Sequence, residues 1–567
     1  MNDGALGPAT RSTALGRVAS EEFDVLVVGG GITGVGIALD ASARGLSVLL
    51  VEARDIASGT SSKSSKLIHG GLRYLEMRDF GLVREALHER RLLLTRLAPH
   101  LVRPVPFLFP LHHRGWERPY LGAGLALYDS MGGASHLPRA RHLSRRAALA
   151  AAPALRPDSL VGAVHFYDAQ EDDALFAAYV ARTAAAHGAA ILTRTSVTDF
   201  ARDESGRARG AVARDAETGA TLHLRARHTI LAGGVGSDRL LQMATGKPHH
   251  DLRPSKGVHL VVPRDRIDMR SGLFMRTEKS IFHAIPWGDG HWLLGDTDTD
   301  WSGDSGAPVA TRPDVEYVLS KVNSALLQPL TADDVCGVFA GVRPLVAGED
   351  SADTTRLSRS HRLFAPLPGM TAIAGGKFTT YRVMGKDAVD AAARDLGSVP
   401  PSTTDRLPLL GAEGAPAGAA YDPASGLGRE QFARLIWRHG SCASEVLTLI
   451  AADPSLAAPL SGDPRHVAAE VVHAVTHQGA LDVDDVLSRR TRISIEVADR
   501  GRAAAPEVAR LAAGALGWSD GRREEELARY LRLRDAEAAA ESSPDEATAQ
   551  ARYREVLDDV QARAPGS

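Results

Sequence analysis

The chain has 567 residues, 44% hydrophobic and 24% charged, with a formal net charge of −3 from 66 basic and 69 acidic side chains. That length exceeds what one core supports and predicts two or three domains, and the charge balance speaks against a nucleic-acid-binding protein and against a broad polybasic face. The two cysteines, Cys336 and Cys442, lie far apart and outside any CxxC spacing, which leaves no disulfide framework and no zinc or iron–sulfur centre to expect and fits a reducing, cytoplasmic setting.

In chain order, residues 1–20 (MNDGALGPATRSTALGRVAS) lack a continuous apolar stretch and read as a disordered tail rather than a secretory signal. Residues 23–52 (FDVLVVGGGITGVGIALDASARGLSVLLVE) run from an apolar strand into Gly29, Gly30, Gly31 and Gly34, then a helix, a second apolar strand and an acid, Glu52. In that pattern Gly29 permits a tight turn, Gly31 lets the backbone approach a pyrophosphate, and Gly34 lets the helix pack closely on the sheet. The helix N-terminus then points its free N–H groups at the phosphates. Glu52 falls roughly 20 positions beyond the turn, where a carboxylate grips a ribose hydroxyl. The segment predicts a dinucleotide site and by itself leaves NAD and FAD both open.

Residues 57–76 form a Ser/Gly-rich loop leading into helical patterning from Leu82 to Leu97, and residues 104–138, rich in Pro, Gly and aromatics, predict irregular or strand structure. A helix and strand (Ala189 to Val197), two β-like runs at 208–216 and 220–225, and an apolar strand turning at Gly233 and Gly234 restore an α/β pattern. Residues 256–300 are strand-rich and predict an antiparallel sheet covering the cofactor; residues 371–397 return to strand, a Gly375-Gly376 turn and helix. The Pro/Gly/Ala-rich stretch 398–428 reads as a linker. Beyond it the pattern is helical, with Val467, Val471, Val472 and Val475 at helical spacing after an Asp-Pro start. No stretch approaches the ~18 apolar residues of a transmembrane helix, so a membrane contact would lie on the surface; the basic and aromatic residues from Arg103 to Arg118 are the candidates.

Several local motifs occur in order: SSKSSKLIHGGLRYLE, KGVHLVVP, IPW, GDTDTDW, GVRPL and GGKFTTYR. With the glycine-rich start they closely resemble the FAD-dependent, quinone-linked glycerol-3-phosphate dehydrogenases over residues 22–397, and LSRRTRI in the helical region resembles a further family motif. The resemblance implies an α/β fold: a Rossmann-like FAD-binding domain with an inserted, mainly antiparallel β substrate domain (roughly 100–160 and 246–345), plus an all-α C-terminal domain over 429–560. It implies oxidation of sn-glycerol 3-phosphate to dihydroxyacetone phosphate, electrons passing to a membrane quinone, and a homodimer held peripherally on the inner face of the cell membrane. One departure is ILAGGVGS at residues 230–237, where related flavoenzymes carry Ala-Thr-Gly; it leaves the turn intact.

The same resemblance distributes roles. Gly29, Gly30, Gly31, Gly34, Glu52, Ser61, Ser62, Ser65, His69, Gly375, Gly376 and Thr379 are expected to hold FAD, with the helix starting near Thr379 aimed at the flavin pyrimidine, where it would stabilise the reduced ring's charge. Arg343, Arg73, Lys377 and, more loosely, Arg359 match substrate-phosphate or active-site positions, and a guanidinium fork suits phosphate; Tyr74 would close the pocket. His259 matches the proposed proton acceptor, with His69 the competing candidate. A glycerol-3-phosphate oxidase passing electrons to oxygen is the alternative, although no obvious long insertion of the oxidase kind is present. An amine or amino-acid oxidase of related fold and a non-catalytic flavoprotein are more distant readings.

Overall fold

The structure is a computed structural model and describes residues 3–71, 79–113, 115–131, 137–158, 160–250, 252–277, 281–288, 290–303, 306–346, 360–414 and 421–561. Two large sheets stand side by side. The nucleotide-binding sheet runs His361–Phe364, Met370–Gly375, Thr221–Leu231, Phe23–Val28, Val48–Val51, Ala190–Leu192, with Ala208–Asp215 and Thr195–Arg202 continuing from Thr221–Leu231. Its centre is parallel: Phe23–Val28 pairs on one side with Val48–Val51 and on the other with Thr221–Leu231. The apolar run is buried on both faces, Val25 and Val27 in one core and Phe23, Leu26 and Val28 in the other, which is why it reads as continuous rather than alternating.

The second sheet is mainly antiparallel, in the order Thr299–Asp300, Leu252–Pro263, His291–Gly295, Ile281–Trp287, Gly272–Arg276, Arg103–Leu111, Gly162–Gln170, Leu67–Ile68, with Gly337–Val346 also paired to Leu252–Pro263. Thus the segment after the first Rossmann unit and the segment after Thr245 meet in one sheet. Residues 104–138 contain the helix Glu117–Met131 as well as the expected strand.

Three expectations are corrected. Residues 8–20, read as a disordered tail, form the helix Pro8–Ser20: Thr10 Oγ1 accepts from Gly7 N at 2.8 Å, Ala14 and Val18 are buried, and Arg11 donates to the Thr193 carbonyl at 2.7 Å. Its apolar stripe is too sparse to signal itself, since tertiary packing supplies the stability. The stretch read as a linker is partly core: Leu409 is buried and the Thr404 hydroxyl donates to buried Asp40 at 3.2 Å. In the C-terminal domain the Asp-Pro pair belongs to a hairpin strand, Asp463–Val467, and the helix begins at Ala468, where Glu470 accepts from Val467 N at 3.0 Å.

The C-terminal domain, helical apart from that hairpin, docks on the nucleotide fold through buried ion pairs. Arg489 and Arg490 both bind Asp55, at 2.6 and 2.7 Å, and Asp55 is fully buried. Removing one member of such a cluster leaves guanidinium charge buried without its counter-ion. Asp55→Ala is therefore expected to lower stability by about 3–5 kcal/mol, seen as a drop in the denaturation midpoint; an unchanged midpoint would mean the cluster contributes nothing to docking.

Candidate active site

The first wall of the site is the glycine turn. Gly29 has φ +116°, open to glycine alone without strain, and a Cβ on Gly34 would sit far inside contact distance of the Gly29 carbonyl oxygen. The helix Ile32–Ala43 therefore starts directly on the turn. Ile32 N donates to Ser61 Oγ at 2.9 Å, which ties the serine loop to the helix N-terminus. Glu52 is clamped by backbone donors, Gly30 N at 2.6 Å and Arg54 N at 2.9 Å, so its carboxylate is fixed at the mouth of the turn.

From here one cleft of about 1170 Å³ runs under the antiparallel sheet. Gly29, Gly31, Glu52, Ser61, Ser62, Ser65, His69, His259, Arg343, Gly375, Gly376, Lys377 and Thr379 all line it. The structure thus brings together most of the residues singled out from the sequence. Gly30 and Gly34 support the turn from behind, while Arg73, Tyr74 and Arg359 lie outside the described residues. The Ala232 backbone lies against Gly29, so the departure at residues 230–237 keeps the turn, as expected.

His259 and Arg343 reach the cleft through strand register. His259 lies opposite Phe339 and Arg343 opposite Ser255 in the antiparallel pair Leu252–Pro263 with Gly337–Val346, and the two-residue period puts both on one face. Gly257 and Gly341 sit between them: a Cβ on Gly257 would strike the Arg343 guanidinium, and one on Gly341 would strike the Lys63 backbone. Bare backbone there lets the serine loop and the arginine close on the sheet.

The His259 ring stacks on Phe339 (5.0 Å between centroids, 13° between planes) and its Nε2 meets Ser65 Oγ at 3.0 Å. Burial pushes its pKa down to about 3, with Arg343 and Lys66 adding to the effect against Asp296; the ring is neutral at physiological pH. Arg343 pairs with Asp296, donates to the Thr297 carbonyl at 3.1 Å and to Ser255 Oγ at 3.3 Å. Its guanidinium is thus preorganised but already facing an acid, which any phosphate would have to share. On the opposite wall Gly375 and Gly376 have φ +72° and +90°, and Thr379, buried beneath the helix Tyr381–Leu396, brackets His69 by accepting from its N–H (3.2 Å) and donating to its carbonyl (3.4 Å).

The residues behind this wall carry no distinguishing pattern in the sequence. Lys66, Asp173 and Arg492 are buried, Asp172 is half-buried, and the four are paired beneath the serine loop. Lys66 and Arg492 lie inside quoted motifs, and Asp172 is a helix N-cap accepting from Leu175 N at 3.3 Å, but charge alone does not distinguish a buried cation from a solvated one.

Burial also lowers His100 to about 4 and His473 to about 4. The unfolded chain protonates these histidines and His259 near the ordinary value of 6.5, so their contribution is complete above that pH and is lost as pH falls toward the folded values. Stability is expected to fall between pH 6.5 and 4, by up to about 1.4 kcal/mol per pH unit per histidine, read as a lower denaturation midpoint. A flat midpoint across that window would contradict the burial of neutral rings.

A Rossmann turn opening into a cleft roofed by an antiparallel sheet, with a neutral histidine and cations at its far end, defines a dinucleotide-dependent oxidoreductase of the flavin class. Residues 24–388 match the family described as FAD dependent oxidoreductase, and residues 402–523 match the C-terminal domain of alpha-glycerophosphate oxidase. The chain is 48% identical over 550 residues to glycerol-3-phosphate dehydrogenase 2 of Mycobacterium tuberculosis, covering 96% of this chain and 94% of that one. It is 35% identical to the mitochondrial glycerol-3-phosphate dehydrogenase of Mus musculus, covering 93% of this chain and 75% of the other. The solved glycerol-3-phosphate dehydrogenase of Bacillus halodurans, complexed with FAD, superposes with a TM-score of 0.75 at 28% identity, covering 93% of this chain and 97% of that one. The chain belongs to the FAD-dependent glycerol-3-phosphate dehydrogenase family.

The residues present fit FAD. A Cβ built on Gly31 meets only Ser61 Oγ, at 3.2 Å, and otherwise projects into open space where a pyrophosphate would lie. Small-molecule sites occupy about 300–1,000 Å³, so the cleft has room for a long dinucleotide and a small substrate.

Proposed function

We propose that the protein oxidises sn-glycerol 3-phosphate to dihydroxyacetone phosphate and passes the electrons to a membrane quinone. The observation that carries this reading is one cleft joining the glycine turn and Glu52 to a neutral buried histidine, Arg343 and Lys377. Bound FAD supplies the acceptor for the hydride leaving C2 of the substrate. Gly29, Gly31, Ser61 and Ser62 would hold the phosphates of the cofactor and Glu52 its ribose, while Ser65, His69, Gly375, Gly376 and Thr379 would line the flavin end.

The His259 imidazole takes the C2 hydroxyl proton. Being neutral, it is in the accepting form across the physiological range, without a prior deprotonation. Arg343 receives the phosphate as a two-pronged donor, exchanging its grip on Asp296, and Arg73 and Arg359 add charge there. Lys377 holds the developing alkoxide oxygen, and Tyr74 closes the pocket.

Membrane contact is supported by exposed apolar residues near one end of the antiparallel sheet. Trp116 and Tyr120 are 54% and 49% exposed and share a small surface cavity with Arg156, Arg276 and Lys321. Aromatic side chains flanked by cations suit an anionic bilayer surface. Arg103, the other end of the stretch expected to make this contact, instead stacks on Trp437 and donates to its carbonyl at 2.9 Å. Among the described residues no helix is long and apolar enough to cross a membrane. The proposed form is a homodimer lying on the inner face of the cell membrane.

Anaerobic glycerol 3-phosphate is expected to bleach the flavin absorbance of the purified protein, and reoxidation is expected to be fast with a soluble quinone and slow with oxygen. Absence of bleaching rejects the substrate; faster reoxidation by oxygen assigns the chain to the oxidase alternative.

A further inference from the structure

We infer that Arg492, on the C-terminal domain, is a positioning residue for the proton acceptor: it sets the serine loop that orients His259. The inference rests on the proposed role of His259 and deepens it. Arg492 has φ +72°, a conformation side chains disfavour, and is buried. Its guanidinium holds Asp172 Oδ1 at 2.8 and 3.0 Å, pairs with Asp173, and donates to the Ser62 carbonyl at 3.3 Å. It therefore touches the loop itself and the acid that organises the loop.

Asp173 is the junction. One carboxylate oxygen accepts from Ser64 N at 2.9 Å and Ser64 Oγ at 2.7 Å; the other accepts from Lys66 Nζ at 2.8 Å. Lys66 also has a positive φ, +57°, is fully buried, and its ammonium donates to the Ser62 carbonyl at 3.1 Å. Residues 62, 64 and 66 are thus all fixed from below, which leaves Ser65 between them pointing at His259 Nε2, 3.0 Å away. The Lys66 ammonium also lies 4.9 Å from the centroid of Phe339, the ring on which His259 stacks. Two contacts on the imidazole, the Ser65 hydroxyl and the Phe339 ring, therefore trace back to one buried cluster.

A carboxylate in that position needs a second cation. Asp173 serves three loop donors, and Glu171 lies beside it with both carboxylate oxygens buried and without a hydrogen-bond partner among the described residues; burial and the neighbouring Asp173 raise its pKa. The Arg492 guanidinium pairs with Asp173 on the side away from the serines and holds the carboxylate where the loop donors reach it. Without it, Asp173 keeps Lys66 as its one cationic partner among the described residues and the Ser62 carbonyl loses a donor, so the loop loses a fixed anchor. Small displacements at a reacting centre are costly, about a hundredfold in rate for about 1 Å.

The test is a double-mutant cycle on the rate of flavin reduction in the FAD-bound full-length enzyme. Arg492→Ala and Ser65→Ala are each expected to slow reduction by about tenfold to a hundredfold, at near-normal FAD content, and the double variant to be no slower than the slower single. That non-additivity is the signature of residues acting through one another. Arg182→Ala serves as the control, since it breaks another interdomain pair, buried Arg182 with half-buried Glu445 at 2.7 Å, away from the loop; its reduction rate is expected to stay within twofold. Additive losses, an unaffected R492A, or an equal loss in R182A would each overturn the inference. Should R492A lose its flavin, Ser64→Ala, which deletes one loop donor to Asp173 and leaves both domains packed, takes its place in the cycle. A wild-type flavin that glycerol 3-phosphate does not reduce would instead sink the proposed function.

Discussion

Flavin reduction by glycerol 3-phosphate is expected to slow by roughly 100- to 10,000-fold in His259→Ala, the range over which a positioned general base contributes. FAD content should be unchanged, because His259 belongs to the antiparallel sheet, while the glycine turn and Glu52 that grip the nucleotide belong to the other one. Stopped-flow reduction under anaerobic conditions measures it. The wild-type profile should show no histidine limb near pH 6.5, since burial holds the His259 pKa down to about 3. A normal rate in the variant would transfer the role to His69, the other histidine lining the cleft.

Gly34→Ala is expected to abolish stable FAD binding. The added methyl would overlap the Gly29 carbonyl oxygen, which is backbone and cannot swing away as a side chain would. Either the helix Ile32–Ala43 lifts off the turn or the turn deforms, and both move the N–H groups aimed at the pyrophosphate. Overpacking a tight contact costs about 1–3 kcal/mol in stability, seen as a lowered melting temperature, and the flavin is expected to be lost on gel filtration. Full retention of flavin at wild-type stability would mean that the helix does not start on the turn as described.

Local features of the chain carried a large part of this. The Gly29–Gly34 turn and Glu52 were legible because backbone chemistry dictates glycine at specific spacings and an acid at a fixed distance. His259, Arg343 and Lys377 were legible only as members of motifs resembling a family. What makes His259 neutral, its burial against Phe339 and Ser65, depends on strands more than 70 positions apart in the chain. The helix Pro8–Ser20 was missed because two buried residues, Ala14 and Val18, do not make a periodic stripe. The Thr404 and Leu409 contacts are not legible in the sequence because a Pro/Gly-rich composition marks a loop's backbone and says nothing of what it packs against.

The C-terminal domain shows the same division. Its helices follow from residue spacing, but the sequence assigned them no task. Arg489, Arg490 and Arg492 read identically to solvated arginines until the fold carries them to Asp55, Asp172 and Asp173, more than 300 positions away. The sequence by itself determined a dinucleotide cofactor, through a turn whose geometry is local, and the motif set whose resemblance to a family narrowed it to FAD. Only the tertiary structure decided which charges are buried, which of them face each other, and hence which histidine stands neutral at the end of the cleft. Burial and pairing are properties of distant segments brought together, and no window along the chain contains them.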